Sequence, residues 1–262
     1  MKSNSLIIFT KVPRTIPVKT RLMKNTSLTH EDVSIIAEGM LKDTILLGIK
    51  SNSDQIEIGY TPKSGLSRLR KIVNNLLTEE RSNKPVSFSL QEGNDFDERF
   101  GSVIRTSQNS GSKKMIIIGA DLPYLAPSIL DKAFLYLSEE KNSIVIGPAQ
   151  GGGVYLVGIN ESFRWNWFSE HKLFRGGVEL NQFAKFSSNQ KIPLILLPAY
   201  GDIDIEEDLI SLLAFIKILS ISEISEGFFF PKYTLQAIDD LKLEIELIEN
   251  DTRCRKIYKN HP

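Results

Sequence analysis

Four cations fall within eleven residues in the stretch Lys11-Val12-Pro13-Arg14-Thr15-Ile16-Pro17-Val18-Lys19-Thr20-Arg21. Two prolines stiffen that stretch, which directly follows the apolar run Leu6-Ile7-Ile8-Phe9. Such a loop can hold a di- or triphosphate, arginine through its bidentate fork and lysine as a compact charge. A solvated basic loop has the same composition. Position favours phosphate contact, because ligands of parallel α/β sheets bind beyond the carboxyl ends of the strands. Lys19 and Arg21 flank Thr20, so an extended backbone would aim both toward one side.

Carboxylates are the second kind of candidate. Gly119-Ala120-Asp121-Leu122-Pro123 follows Met115-Ile116-Ile117-Ile118, the most apolar strand-like run. Asp121 is placed there either to hold Mg²⁺ (or Mn²⁺) together with substrate phosphate oxygens, or to open a turn before the next helix. In Asp202-Ile203-Asp204-Ile205-Glu206-Glu207-Asp208, Asp204 and Glu207 have the spacing of a capping box for a following helix. Asp202 has no such role. In an extended segment it points the same way as Asp204, so either can complete a metal site with Asp121. Gly151-Gly152-Gly153 either brings backbone N–H groups close to an anion or forms a turn between two strands.

Other chemistries lack their residues. His30, His171 and His261 are scattered without ligand spacing, which argues against a zinc cage. Ser110-Gly111-Ser112-Lys113-Lys114 precedes a strand instead of joining a strand to a helix, so it is not a phosphate loop. With 32 basic and 32 acidic residues the formal charge is zero, against a dedicated nucleic-acid binder. A chain that is 41% hydrophobic and 24% charged is an ordinary globular one. The single cysteine, Cys254, excludes an internal disulfide and fits a reducing cytoplasm. Met1-Lys2-Ser3-Asn4 leads into no signal-peptide core, and the apolar stretch Leu209–Ile221 is too short to span a membrane. Self-association is left open.

The elements that must position these residues are short β-branched runs alternating with longer amphipathic stretches. Strands are expected at Leu6–Phe9, Gln55–Tyr60, Val86–Leu90, Met115–Gly119, Ser143–Ile146, Val154–Ile159 and Ile192–Leu197. Helices are expected at His30–Ile49, Ser64–Leu77, Phe96–Ser107, Pro127–Ser138, Gly177–Phe186 and Ile205–Leu219. Continuous buried runs separated by helices predict a largely parallel sheet covered on both faces. After Ser222 the pattern loosens, which divides the chain into a domain at 1–222 and an appendage at 223–262 packed through its aromatics. That appendage reads as a short helix Thr234–Leu241, a strand Leu243–Ile248 and a solvated basic end holding Arg253, Arg255, Lys256 and Lys259.

The ordered set Lys19-Thr20-Arg21-Leu22, Gln91-Glu92-Gly93-Asn94-Asp95-Phe96-Asp97-Glu98-Arg99, Ile118-Gly119-Ala120-Asp121-Leu122-Pro123, Gly147-Pro148-Ala149…Gly152-Gly153, Tyr155-Leu156-Val157-Gly158 and Gly201-Asp202-Ile203-Asp204 resembles a family of glycosyltransferase-A-like proteins. It is also similar to the 2-phospho-L-lactate guanylyltransferases. The resemblance spans about residues 5–217. It implies a nucleotide-diphospho-sugar-transferase fold: α/β, with a mixed, mostly parallel sheet of about seven strands. It implies that Asp121, with Asp202 or Asp204, holds the divalent metal. Lys19 and Arg21 would act on phosphates, with Lys11, Thr20, Asp95, Arg99, Gly151, Gly152 and Gly153 also in the nucleotide site. Glycosyltransferase-A-like relatives usually have glycine where this chain has Ile16 and Asp97, and Asp-Gly-Gly-Tyr where it has Gly151-Gly152-Gly153-Val154.

A site of cations and carboxylates without an activated nucleophile suits Mg²⁺-dependent nucleotidyl transfer, which depends on positioning and charge neutralisation. The substrates expected are a nucleoside triphosphate and a small phosphorylated or hydroxylated acceptor. Glycosyl transfer from a nucleotide sugar needs the same metal site plus a sugar pocket, for which Trp165, Trp167 and His171 are candidates if they are not core or lid packing. The departures at Ile16, Asp97 and Gly151 motivate a third reading, a catalytically silent nucleotide binder.

Overall fold

Leu6, Ile7 and Ile8 are all fully buried, so the first strand is covered on both faces. The computed structural model describes residues 4–24, 26–140, 142–222, 228–247 and 255–259. Residues 223–227, Arg253, Cys254 and His261 lie outside the described residues. Helices and strands alternate from β1 (Asn4–Lys11) and α1 (His30–Lys50) through β2 (Gln55–Thr61), α2 (Leu66–Glu79), β3 (Val86–Leu90) and α3 (Phe96–Asn109). Next come β4 (Lys114–Gly119), α4 (Pro127–Glu139), β5 (Ile144–Pro148) and β6 (Val154–Asn160). Then follow α5 (Trp167–His171), α6 (Glu179–Gln190), β7 (Leu194–Leu196) and α7 (Glu206–Leu219). The chain closes with α8 (Lys232–Asp240), β8 (Leu243–Leu247) and β9 (Arg255–Lys259).

Among the described residues, seven strands form one sheet in the order β3-β2-β1-β4-β6-β5-β7. Only β6 runs against its neighbours, pairing antiparallel with both β4 and β5. The reason is local: β5 and β6 are joined by Ala149–Gly153, far shorter than the dozen residues a parallel crossover needs. Gly151 and Gly152, at φ of 75° and 89°, let the chain reverse in that space. The mixed, mostly parallel α/β sheet expected above is therefore the one found. No helix among the described residues is long and apolar enough to cross a membrane.

Apolar side chains gather on both faces of the sheet. One cluster joins Leu6 and Ile8 to α1, α2 and α4; the other joins Ile7 to Phe100, Phe168 and Phe183. A third lies off the sheet, where Val33, Ile36 and Met40 of α1 meet Leu209 and Leu213 of α7 with Ile238, Leu243 and Ile257. This corrects the expectation of a solvated basic end. Arg255–Lys259 is a strand paired antiparallel with β8, Ile257 is buried, and the cations meet acids: Arg255 with Glu207 at 3.0 Å and Lys259 with Asp32 at 2.9 Å.

Helix α8 sits directly on α1, where a Cβ on Gly39 would stand 2.6 Å from the Tyr233 carbonyl oxygen. Buried Asp43 clamps the pair. Its Oδ1 accepts the Tyr233 N–H at 3.0 Å, and its Oδ2 accepts the Thr234 N–H at 2.7 Å and hydroxyl at 2.6 Å. Burial pushes this carboxyl up to about 6 against the opposing pull of those donors. Because the folded value lies above the unfolded one, the folded chain binds this proton more tightly. Stability from Asp43 is thus full below about pH 4 and lost as pH rises to about 6. In denaturant melts, wild type should lose roughly 3 kcal/mol relative to Asp43→Asn over that window and run parallel to it above. Parallel curves throughout would remove Asp43 as the titrating group.

Candidate active site

Strands β1 and β4 are neighbours, with Phe9 paired to Gly119, so the segments leaving their carboxyl ends share one rim. Beyond β1, the Val12 N–H still donates to the Thr61 carbonyl at 2.8 Å, and Arg14 folds away onto Glu31 and Glu38 of α1. The backbone then turns left-handed at Lys19 (φ 47°) and enters a 3-10 turn, Thr20–Met23, that buries Leu22 completely. The extended geometry expected around Thr20 is therefore not what aligns Lys19 and Arg21. A left-handed lysine costs on the order of 1 kcal/mol, offset here by burial of Leu22 and by the contacts of the lysine head.

Those contacts define the site. The Lys19 ammonium donates to the Ile203 carbonyl at 2.6 Å and lies 2.7 Å from Asp121 Oδ1 and 3.7 Å from Asp204 Oδ1. Its side chain is only 11% exposed, against 46% for Asp121. Arg21, by contrast 73% exposed, donates to Asp204 Oδ2 at 2.6 Å. The 202–204 segment is fixed against the end of β4 by the Ile203 N–H, which donates to the Asp121 carbonyl at 2.9 Å.

The expected capping box is displaced by one residue. Helix α7 starts at Glu206, and Asp208 Oδ2 accepts the N–H groups of both Asp204 and Ile205 at 2.9 Å. Asp204 is thereby released from capping, and its carboxylate faces the two cations. Asp202 stands slightly apart. Burial, reinforced by the charges of Asp121 and Asp204, raises its carboxyl above the ordinary range.

Lys19, Asp121 and Asp204 line a cleft of about 480 Å³ with Lys11, Arg99 and Gln91, a size suited to a small ligand. Asp202 is not among its walls; it lines the two adjoining cavities instead. Among the described residues no three His, Cys, Asp or Glu side chains are grouped to hold a metal ion by themselves. Of the two partners expected for Asp121, Asp204 shares its cleft and Asp202 does not. The donor set still suits a small hard cation: an ammonium already sits among two carboxylates and a carbonyl, and Mg²⁺ takes only one or two protein carboxylates beside phosphate oxygens.

Other sequence candidates have structural work. Asp95 caps α3, accepting the Glu98 N–H at 2.9 Å, and pairs with Lys172 at 2.8 Å. Thr20 opens the 3-10 turn and does not line the cleft. Gly151 and Gly153 line the adjoining cavity of about 750 Å³, while Gly152 is approached by the Gly177 carbonyl. Asp97, one of the departures, is buried and accepts the Phe174 N–H at 3.0 Å; burial raises its carboxyl. Trp167 and His171 pack on Phe186, and Trp165 lies under Arg105, so none of the three lines the cleft.

Two cleft residues escaped the reading of individual residues. Gln91, directly after β3, donates both Nε2 hydrogens, to the carbonyls of Thr10 at 2.9 Å and Gly59 at 2.8 Å, tying β1 to β2. Phe96 is 41% exposed, unusual for a phenylalanine, and belongs to both the cleft and its larger neighbour. A polar residue at a strand end and an aromatic at a helix start were the available signals.

The family model described as "Uncharacterized protein conserved in bacteria (DUF2064)" matches residues 57–176. No curated protein matches the chain in sequence. Among solved structures, the chain is similar to a candidate nucleotide-diphospho-sugar transferase from Desulfovibrio desulfuricans, at 20% identity and a TM-score of 0.72 over 91% of this chain and 96% of that one. It is also similar to a cytidylyltransferase from Leptospira borgpetersenii, at 15% identity and a TM-score of 0.50 over 92% and 94% of the two chains. A CMP:2-keto-3-deoxy-manno-octonic acid synthetase complexed with CTP aligns at 9% identity and a TM-score of 0.52 over 83% and 99%. These likenesses fix the fold as that of the nucleotide-diphospho-sugar transferases.

Proposed function

We propose that the chain is a metal-dependent nucleotidyltransferase, moving a nucleoside monophosphate from a nucleoside triphosphate to a small hydroxylated or phosphorylated acceptor. The observation that carries this reading is the Lys19–Asp121–Asp204 cluster on the carboxyl rim of β1 and β4, inside a nucleotide-sized cleft, with Arg21 bound to Asp204 from the adjoining cavity. The fold likeness to proteins named as cytidylyltransferases, one of them complexed with CTP, supports it. Lys19 and Arg21 exchange carboxylate for phosphate oxygens when the triphosphate enters, Arg21 from the adjoining cavity, and Lys11 and Arg99 add cations along the cleft that Lys19 lines. Asp121 and Asp204 would then be the residues to hold Mg²⁺, whose charge would neutralise and orient the triphosphate.

In the chemical step an acceptor oxygen forms a bond to the α-phosphorus while the bond from that phosphorus to the bridging oxygen breaks. The electron pair leaves on pyrophosphate, and a hydroxyl acceptor's proton passes to water. In this reading Lys19 and Arg21 offset the charge gathering on the leaving group, which is where such sites gain most of their rate.

The direct test incubates the protein with each nucleoside triphosphate, Mg²⁺ and an acceptor panel of phospholactate-type acids and amino alcohols, scored for pyrophosphate. Nucleotide-sugar hydrolysis is measured alongside. Release of nucleoside diphosphate from a nucleotide sugar alone would reassign the site to glycosyl transfer. Binding without turnover in either assay would leave a silent binder. Phe96 offers its ring to a nucleobase, and stacking of this kind is worth roughly 1–3 kcal/mol. Phe96→Ala should therefore weaken nucleotide affinity about tenfold or more, by calorimetry, yet leave binding of inorganic triphosphate unchanged. Equal losses for both ligands would rule the stacking role out.

A further inference from the structure

A second cavity, of about 460 Å³, opens on the far side of Asp202, and its chemistry is opposite to that of the cationic cleft. Four half-buried rings line it: Tyr124, Tyr200, Phe215 and Phe228. They come from four separate parts of the chain and meet edge to face, with Phe215 5.1 Å from Tyr124 and 5.0 Å from Phe228, and Tyr200 5.9 Å from Phe228. Two carboxylates, Asp202 and Asp208, complete the wall, and among the described residues no lysine, arginine or histidine lines it.

The walls are held in place. The Tyr124 hydroxyl donates to the Gly201 carbonyl at 2.6 Å, and the Phe229 N–H donates to the Tyr124 carbonyl at 2.8 Å, which fixes Phe228 opposite.

We propose that this aromatic, acidic cavity binds an organic ammonium group. The negative faces of the rings and the two carboxylates both attract such a cation, and the apolar ring surface covers its methyl or methylene groups. A phosphate or carboxylate entering here would meet two like charges and, among the described residues, no counter-ion.

The position of the cavity says more about the ligand. Asp202 and Asp208 also line the 750 Å³ cavity that holds Arg21 and Asp204, so the two spaces adjoin across these two acids. A molecule with its ammonium among the rings would extend its other end toward Arg21 and the cationic cleft. That describes a bipolar ligand: ammonium at one end, and a hydroxyl or phosphate oxygen at the other. Its assignment as the acceptor rests on the nucleotidyl-transfer reading; ammonium binding itself does not.

Calorimetry on the full chain without nucleotide tests the inference with choline and its uncharged carbon isostere, 3,3-dimethylbutan-1-ol. Choline should bind saturably, with the isostere about tenfold weaker or worse. Tyr200→Leu and Asp202→Asn should each weaken choline binding severalfold to tenfold, with unchanged thermal midpoints, while Phe96→Ala leaves it as it is. Equal affinity for choline and the isostere in the wild type would reduce the cavity to an apolar hole and overturn the proposal. So would an absence of saturable heat. Choline binding in a protein that releases no pyrophosphate would sink the transferase reading alone.

Discussion

Asp121→Asn is expected to slow pyrophosphate release by about a hundred- to a thousandfold, the range for losing one preorganised electrostatic partner such as an oxyanion-hole donor. The substitution preserves the shape of the side chain and an oxygen that can still accept from Lys19. Asp121 is nearly half exposed, so water screens the remaining ammonium and the thermal midpoint should hold within a few degrees. What disappears is the negative charge that a divalent cation needs, and with it the Mg²⁺-dependent part of nucleotide affinity in calorimetry. Asp204→Asn belongs beside it. Because Asp208 and not Asp204 caps α7, that variant carries no capping penalty, so a loss of activity at full stability isolates the role in the site. Unchanged Mg²⁺-dependent affinity in Asp121→Asn would leave this residue as a partner of Lys19 and nothing more.

The elements around this site were legible in the sequence for a simple reason. Strands such as Leu6–Phe9 and Met115–Gly119 are buried on both faces, so their signal is composition, and the loops that follow these two parallel strands share one rim of the sheet. What failed was set by contacts distant in sequence. Lys19 is left-handed at the entry to a turn that buries Leu22, which no local pattern around Thr20 reports. The cap of α7 moved from Asp204 to Asp208 because the helix begins one residue later than its acidic run suggests. Strand β9 looked like a basic tail because its apolar content is one buried isoleucine, Ile257; Lys259 and Arg255 find their acids on α1's first turn and on α7. The ringed cavity is the extreme case, assembled from Tyr124, Tyr200, Phe215 and Phe228, while the aromatics that stood out in sequence, Trp165 and Trp167, pack elsewhere.

Lys19→Met should separate the two cations by their surroundings. Methionine fills most of the volume of the lysine stem, so the left-handed turn and the burial of Leu22 are retained. Asp121 and Asp204, 46% and 37% exposed, lose a counter-ion but keep water, which limits the stability cost to about 1 kcal/mol. The ligand has no such substitute, because Lys19 is 11% exposed and its ammonium acts where water is scarce. One charge-assisted contact there is worth roughly 1.5–3 kcal/mol, so triphosphate affinity should fall about ten- to a hundredfold. Turnover should fall further, about a hundred- to a thousandfold, because charge on the leaving pyrophosphate grows toward the transition state. Arg21→Ala removes a guanidinium that is 73% exposed, so its effect should be smaller and should fade as salt rises. Monophosphate, with fewer oxygens for the loop, should respond weakly to both. There is an opposite sign to look for as well: without nucleotide, Mg²⁺ should bind Lys19→Met more tightly than wild type, because the ammonium no longer stands between Asp121 and Asp204. Triphosphate affinity unchanged at two salt concentrations would reduce Lys19 to a structural ion pair. Weaker Mg²⁺ binding in that variant would place the metal away from these two carboxylates.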